Sequence, residues 1–180
     1  MDILFFCGIK HSGKTSLGRL VAKKMHYACI DNDDLILKDR PELTSIRELY
    51  KEEGKEAFMK QEAASLEAYL ALQPDKTIIS LGGGACDNER LKTLVRGSGK
   101  SIYLKVAQEV LLKRILSGGV PPFLDPLNIE ESFSDLYRRR DGLYRKFSDI
   151  MVELPPYADI NDTAEFLFHR LSEELMHGSQ

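Results

Sequence analysis

The sequence predicts an α/β fold layered around a parallel sheet, on three observations. Short apolar runs recur along the chain and alternate with longer stretches at helical spacing. The first run, "ILFFC" at 3–7, is apolar throughout, as a strand covered on both faces has to be. Three of the runs end in glycines or carboxylates, and parallel sheets gather their ligands beyond such strand ends.

Taken in order, "ILFFC" stops at Gly8, and from Thr15 the stretch "TSLGRLVAKKM" carries Leu17, Leu20, Val21 and Ala22 near the period of a helix. "YACI" at 27–30 reads as a second strand reaching Asp31. Between 45 and 72 the spacing predicts two helices, "SIRELYKEE" and "EAFMKQEAASLEAYLAL", parted by Gly54. "TIISL" at 77–81 is a third strand running into Gly82, Gly83 and Gly84. "ERLKTLV" is helical, "SIYLKV" at 101–106 is a fourth strand, and "AQEVLLKRIL" is the helix after it. The two glycines and three prolines of "SGGVPPFLDPLN" at 117–128 make a loop. Residues 129–147 return to helical spacing, and "DIMVEL" at 149–154 is a fifth strand stopped by Pro155 and Pro156. Asp162 with Glu165 three residues on has the form of a capping box for the last helix, "TAEFLFHRLSEEL". The chain, 1–180, suits a single domain without repeats or linkers.

Composition narrows the partners. A net charge of −3 gives no electrostatic footprint for nucleic acid or an anionic membrane. No apolar run is long enough for a bilayer, and "MDILFFCGIK" is too acidic and too briefly apolar for a secretory signal. Cys7, Cys29 and Cys86 form no CxxC and share no ligand spacing with His11, His26, His169 or His177. They are expected to be reduced thiols of a cytoplasmic protein, without zinc. A small-molecule ligand and a monomer are expected.

The stretch "GIKHSGKTSLGRL" at 8–20 carries the chemistry. Gly8, Gly13, Lys14 and Thr15 meet G-x-x-x-x-G-K-[ST], between a strand and a helix as that motif requires. Glycines let main-chain N–H groups turn toward a polyphosphate, and the following helix aims its positive dipole end at the same anions. Lys14 reaches the β- and γ-phosphates and the Thr15 hydroxyl takes Mg²⁺. His11, Ser12 and Ser16, in or beside the loop, join them as candidate nucleotide-binding residues. No guanine-type NKxD signature is present, so ATP with Mg²⁺ is expected. "DNDDLI" places three carboxylates at the end of the second strand. Asp31 suits the metal or its water, and Asp33 suits an acceptor hydroxyl whose proton it later takes. Helix N-caps favour the same residues, and both alternatives stand. Gly82–Gly84 permits close approach to a ligand or merely a tight turn. Arg138, Arg139, Arg140 and Arg145 share the helix "LYRRRDGLYRKF", where basic clusters are usually solvated faces; Arg140 and Tyr144 fall on one side.

Taken together, these motifs resemble the shikimate kinase family along most of the chain. "GIKHSGKTSLGRLVAKKM" is similar to its P-loop and first helix, "IDNDDLI" to its D-x-D-x-x-I, and "EEGKEAFMKQE" to its G-E-x-x-F-R-x-x-E. "SLGGGA" resembles its triple glycine, "LLKR" its helix with an arginine near the adenine, and "RDGLY" its late R-x-x-x-Y. The resemblance implies a three-layer P-loop kinase fold of the nucleoside-monophosphate-kinase type. Its parts would be a five-stranded parallel sheet, a substrate-binding helical region at about 33–65 and a lid at about 117–128. It implies ATP-dependent phosphorylation of the 3-hydroxyl of shikimate, in aromatic amino-acid biosynthesis. Lys14 and Thr15 would serve the phosphates and Mg²⁺, with Asp31 on the metal side. Asp33 would hold and activate the acceptor hydroxyl, and Gly82, Gly83 and Gly84 would line the acceptor. Arg140 would meet its carboxylate, and Arg114 would lie by the adenine.

The chain departs from that pattern at three positions. Met59 follows Phe58 where the family carries a substrate-binding arginine, and a thioether cannot make a bidentate carboxylate contact. Lys60 is one helical step, about 100°, off that face. Pro121 stands where the lid arginine is expected, and Lys55 where the family has glutamate. Arg138, Arg139 and Lys113 are the basic residues available to compensate. The departures leave two alternatives open: a kinase for another hydroxylated metabolite, or a nucleotide-binding homologue without turnover.

Overall fold

A computed structural model describes residues 2–118, 124–156 and 159–177 of the chain. Five strands, β1 (Ile3–Cys7), β2 (Ala28–Asp31), β3 (Thr77–Ser80), β4 (Lys100–Lys105) and β5 (Ile150–Glu153), form one sheet in the order β2-β3-β1-β4-β5. Every pairing is parallel. The expected fold class is therefore the observed one. Central β1 and β3 are buried at every residue, whereas edge strands β2 and β5 are largely open; β1 is apolar throughout, as burial on both faces favours. Phe5 and Phe6 are fully buried, each contributing about 1.5–3 kcal/mol.

Helices α1 (Lys14–Met25), α2 (Asn32–Asp39), α3 (Ile46–Ala71), α4 (Glu89–Ser98), α5 (Gln108–Gly118), α6 (Ile129–Phe147) and α7 (Ile160–His177) flank the sheet. The pleat sorts them between its faces. Phe6 and Ile78 point to the face where α1 lies, close enough that a Cβ on Gly18 would sit 3.7 and 3.6 Å from them. Tyr103, in register with Cys7, points the other way and stacks on Tyr144 of α6 at 5.1 Å. The three cysteines are free, and burial raises the Cys7 thiol to about 12, so it is inert.

Local chemistry sets the boundaries. Gly54 interrupts α3 with φ 84° and ψ 178°, a conformation for which only glycine is suited, and kinks it at the expected break. Ser45 caps α3, accepting from the Glu48 N–H, while the Glu48 carboxylate accepts from the Thr44 N–H at 2.7 Å. The eight-residue α2 is too short to show a period and answers to the N-cap alternative at the end of the second strand; it exists because Asp31 caps it and Ile36 anchors it in the core. The capping box expected at Asp162 does not form. The last helix begins earlier, with Asp159 accepting from the Asn161 N–H at 2.8 Å, and Glu165 pairs instead with Lys24 and His169. In the expected 117–128 loop, Ser117 and Gly118 belong to the end of α5, while Pro121 lies outside the described residues.

Candidate active site

The carboxyl ends of β1, β2 and β3 open into a cavity of about 1130 Å³. At its floor is the loop between β1 and α1. Gly13 turns into α1 with φ 87°, and His11 shares the left-handed region at φ 67°. The Lys14 ammonium is folded back onto its own loop, donating to the carbonyls of Gly8 at 2.9 Å and Ile9 at 3.3 Å. Burial lowers its pKa to about 8, with Asp33 and Asp31 pulling the other way. Thr15 Oγ1 donates to Asp31 Oδ2 at 2.6 Å, with Ser80 Oγ 3.3 Å away. Asp31 Oδ1 meanwhile accepts from the Asp33 N–H at 3.0 Å. The N-cap reading of this acid holds: one carboxylate oxygen caps α2, while the other accepts from the loop hydroxyl.

That cap aims Asp33 into the cavity. Its Oδ1 is shut off from solvent and accepts no hydrogen bond among the described residues. Burial, with repulsion from Asp31, raises its pKa to about 6, while Lys14 works against the shift. Glu62 Oε1, from α3, is a second shielded acceptor without a partner there. Both lie against Gly82, whose missing Cβ would stand 2.8 Å from Glu62 Oε1 and 3.6 Å from Asp33 Oδ1. A Cβ on Gly83 would meet the Lys10 main chain at 2.9 Å, so a glycine is needed there for close packing against the phosphate loop. Asn88 caps α4 and donates to the Met59 carbonyl at 2.8 Å and to Glu62 Oε2 at 2.9 Å, tying this wall to α3.

Of the residues singled out in the sequence, His11, Gly13, Lys14, Thr15, Ser16, Asp31, Asp33, Gly82, Gly83, Gly84 and Arg140 line the cavity. Gly8, Ser12 and Arg114 build it from behind. Gly8 packs on the Leu104 carbonyl, Ser12 closes a turn onto Ile9, and Arg114 donates to the His11 carbonyl at 2.9 Å, fastening α5 to the loop. Met59 faces the cavity, as its place after Phe58 in the motif implies, and Lys60 does not. Among the compensating cations, Arg139 lines the cavity; Arg138 is exposed beside Asp135 and Lys113 is elsewhere. Sequence reasoning passed over Lys10, Arg47, Lys51 and Asp87, all lining residues, and the aromatic pair Tyr50–Phe58, edge to face at 6.0 Å. Arg47 and Lys51 are one turn apart on α3, a spacing that could have been read.

A phosphate loop closed by lysine and hydroxyl, facing an orphaned carboxylate across one cavity, defines a P-loop phosphotransferase with an alcohol as acceptor. The comparisons narrow that class. The family model for shikimate kinase matches residues 10–167. A shikimate kinase of Neisseria gonorrhoeae is 32% identical over 169 residues, covering 94% of this chain and 95% of that protein. One from Chlorobium chlorochromatii is 33% identical over 160 residues, covering 84% and 82%. The chain belongs to the shikimate kinase family. Its fold is that of the Acinetobacter baumannii shikimate kinase solved in complex with shikimate, at TM-score 0.84 and 24% identity over 97% of this chain and 94% of that one. A gluconokinase from Sinorhizobium meliloti is more distant, at TM-score 0.56 and 18% identity over 99% and 98%.

Proposed function

We propose that the protein transfers the γ-phosphoryl group of ATP to the 3-hydroxyl of shikimate. The observation that carries this reading is the shielded Oδ1 of Asp33, without a partner among the described residues, held beside Gly82 and within electrostatic reach of Lys14. A buried acceptor without a donor costs about 1–3 kcal/mol, and an acceptor alcohol supplies the missing donor. Asp33 orients that hydroxyl and takes its proton as the oxygen attacks phosphorus. Lys14 exchanges its loop carbonyls for phosphate oxygens, and the N–H groups around Gly13 follow suit. Gly82, Gly83 and Gly84 bring main chain against the acceptor, and Arg140 meets its carboxylate.

The donor set of the Thr15 hydroxyl and the Asp31 carboxylate, both hard oxygens, fits Mg²⁺ better than a softer ion. When bound there it would neutralise charge on the β- and γ-phosphates. In this reading Arg114 stands by the adenine, the lid lies between α5 and α6, the helical region at 33–65 holds the acceptor, and the chain is one domain. A cytoplasmic monomer with reduced thiols is the setting it assumes, and no described helix is long and apolar enough to cross a membrane.

The test is a coupled ADP-release assay with ATP and Mg²⁺, with and without shikimate, run beside a panel of other hydroxylated acids. ADP formed only with shikimate, with the phosphate at the 3-position by NMR, supports the reading. Intact ATP binding without stimulation by shikimate overturns it.

A further inference from the structure

Arg139 and Arg140 are adjacent on α6, so their side chains leave the helix about 100° apart. Neighbours of this kind do not ordinarily address one ligand. Here they do converge, because both reach the same carboxylate. Arg139 grips Asp87 with two bonds, Nη1 to Oδ1 at 2.6 Å and Nη2 to Oδ2 at 3.1 Å. Arg140 Nη2 donates to Asp87 Oδ2 at 3.2 Å. Asp87 follows the triple glycine in the short 3₁₀ turn Ala85–Asp87, and only 10% of its side chain is exposed. The Arg140 side chain is 12% exposed and packs on Gly84, where a Cβ would come within 3.3 Å of Nη2. All three residues line the cavity beyond the triple glycine. Met59 lines it as well and offers no charge.

We propose that Asp87 gathers Arg139 and Arg140 into a two-guanidinium clamp for the carboxylate of the acceptor, with Arg139 supplying the second cation that Met59 cannot. The inference rests on the reading of the acceptor as shikimate, a cyclic hydroxy acid. A guanidinium has five N–H donors, and Asp87 occupies two on Arg139, so three remain for a second anion. Asp87 is a positioning residue. It spends one negative charge to hold two positive ones side by side, and the pair keeps a net positive charge toward the cavity. A planar fork already fixed in place loses less freedom on binding than a free side chain.

The alternative role for Asp87 is that of a competitor, a built-in carboxylate that the acceptor must displace, and the two roles predict opposite signs. The experiment is steady-state kinetics of wild type, Asp87→Asn and Arg139→Ala with shikimate and with its carboxamide, alongside nucleotide titration and thermal unfolding as checks on folding. The clamp predicts that each substitution raises KM for shikimate about 10- to 100-fold and changes kcat less than threefold. With the uncharged carboxamide the same substitutions should have little effect. Adding Met59→Arg to Arg139→Ala should recover most of the lost affinity. An unchanged or lowered KM in Asp87→Asn overturns the positioning role. A loss in Arg139→Ala that is equal for acid and amide overturns the clamp. Absence of shikimate-dependent turnover in the wild type would overturn the reading of the acceptor itself, a separate result.

Discussion

The two ends of the cavity are built differently. In the proposed reading the nucleotide end meets phosphate through Lys14 and Thr15, and both already have partners: Lys14 donates to Gly8 and Ile9, and Thr15 to Asp31. All of them but Asp31 come from eight consecutive residues. At the acceptor end the polar atoms come from α2, α3, the glycine turn and α6, and two of them, Asp33 Oδ1 and Glu62 Oε1, have no partner among the described residues. The first end is a preorganised device for any polyphosphate. The second is assembled by the tertiary fold and stores an uncompensated polar cost that a particular ligand relieves. Specificity is therefore expected to reside in the second end, where Met59 faces the cavity.

Substitutions should separate the ends. Of three substitutions, Lys14→Ala should have the largest effect, because it removes the cation proposed to meet phosphate and takes a donor from the Gly8 and Ile9 carbonyls. Turnover should fall by about 10³-fold, with weakened nucleotide binding in a calorimetric titration and a normal circular-dichroism spectrum. Arg140→Ala should act at the other end alone, raising KM for shikimate about 10- to 100-fold while leaving nucleotide affinity within about threefold. Equal damage to both ligands would break the division.

Glu62→Gln should have the smallest effect and report on the stored cost. Burial raises the Glu62 pKa to about 7, with the Asn88 hydrogen bond opposing it. An acid whose folded pKa lies above its unfolded value contributes stability below the unfolded value, near 4.5, and loses it as pH rises through about 7. Glutamine does not titrate, so the variant should gain on the wild type between pH 5 and pH 8, by about 2–4 °C in Tm for each kcal/mol relieved. A gap that does not change with pH would mean that Glu62 is compensated in the folded protein.

The same contrast explains what the sequence made legible. The phosphate loop could be read residue by residue because its chemistry is contiguous and its frame, strand before and helix after, is local. The five strands were legible from short apolar runs between turn signals, most plainly β1, which is buried and apolar throughout. Asp33 and the triple glycine were legible as strand ends. Asp87 was not, because its importance comes from two arginines that follow it by more than fifty residues, meeting it only through the packing of α6 on the turn. Arg139 was one of three equal candidates until the fold turned Arg138 to solvent. Which acid caps α2, and the Asp159 cap, escaped for a different reason: each rests on a single side chain bonding its own backbone, and several nearby acids compete for that role in the sequence.

The central claim is that a loop-bound triphosphate and an alcohol aimed by Asp33 meet in one cavity through separable parts. Turnover and nucleotide affinity measured together on Asp33→Asn test it most directly. The account predicts a loss of about 10²–10⁴-fold in kcat, with affinity for a non-hydrolysable ATP analogue unchanged within about threefold. Turnover close to that of the wild type would contradict it.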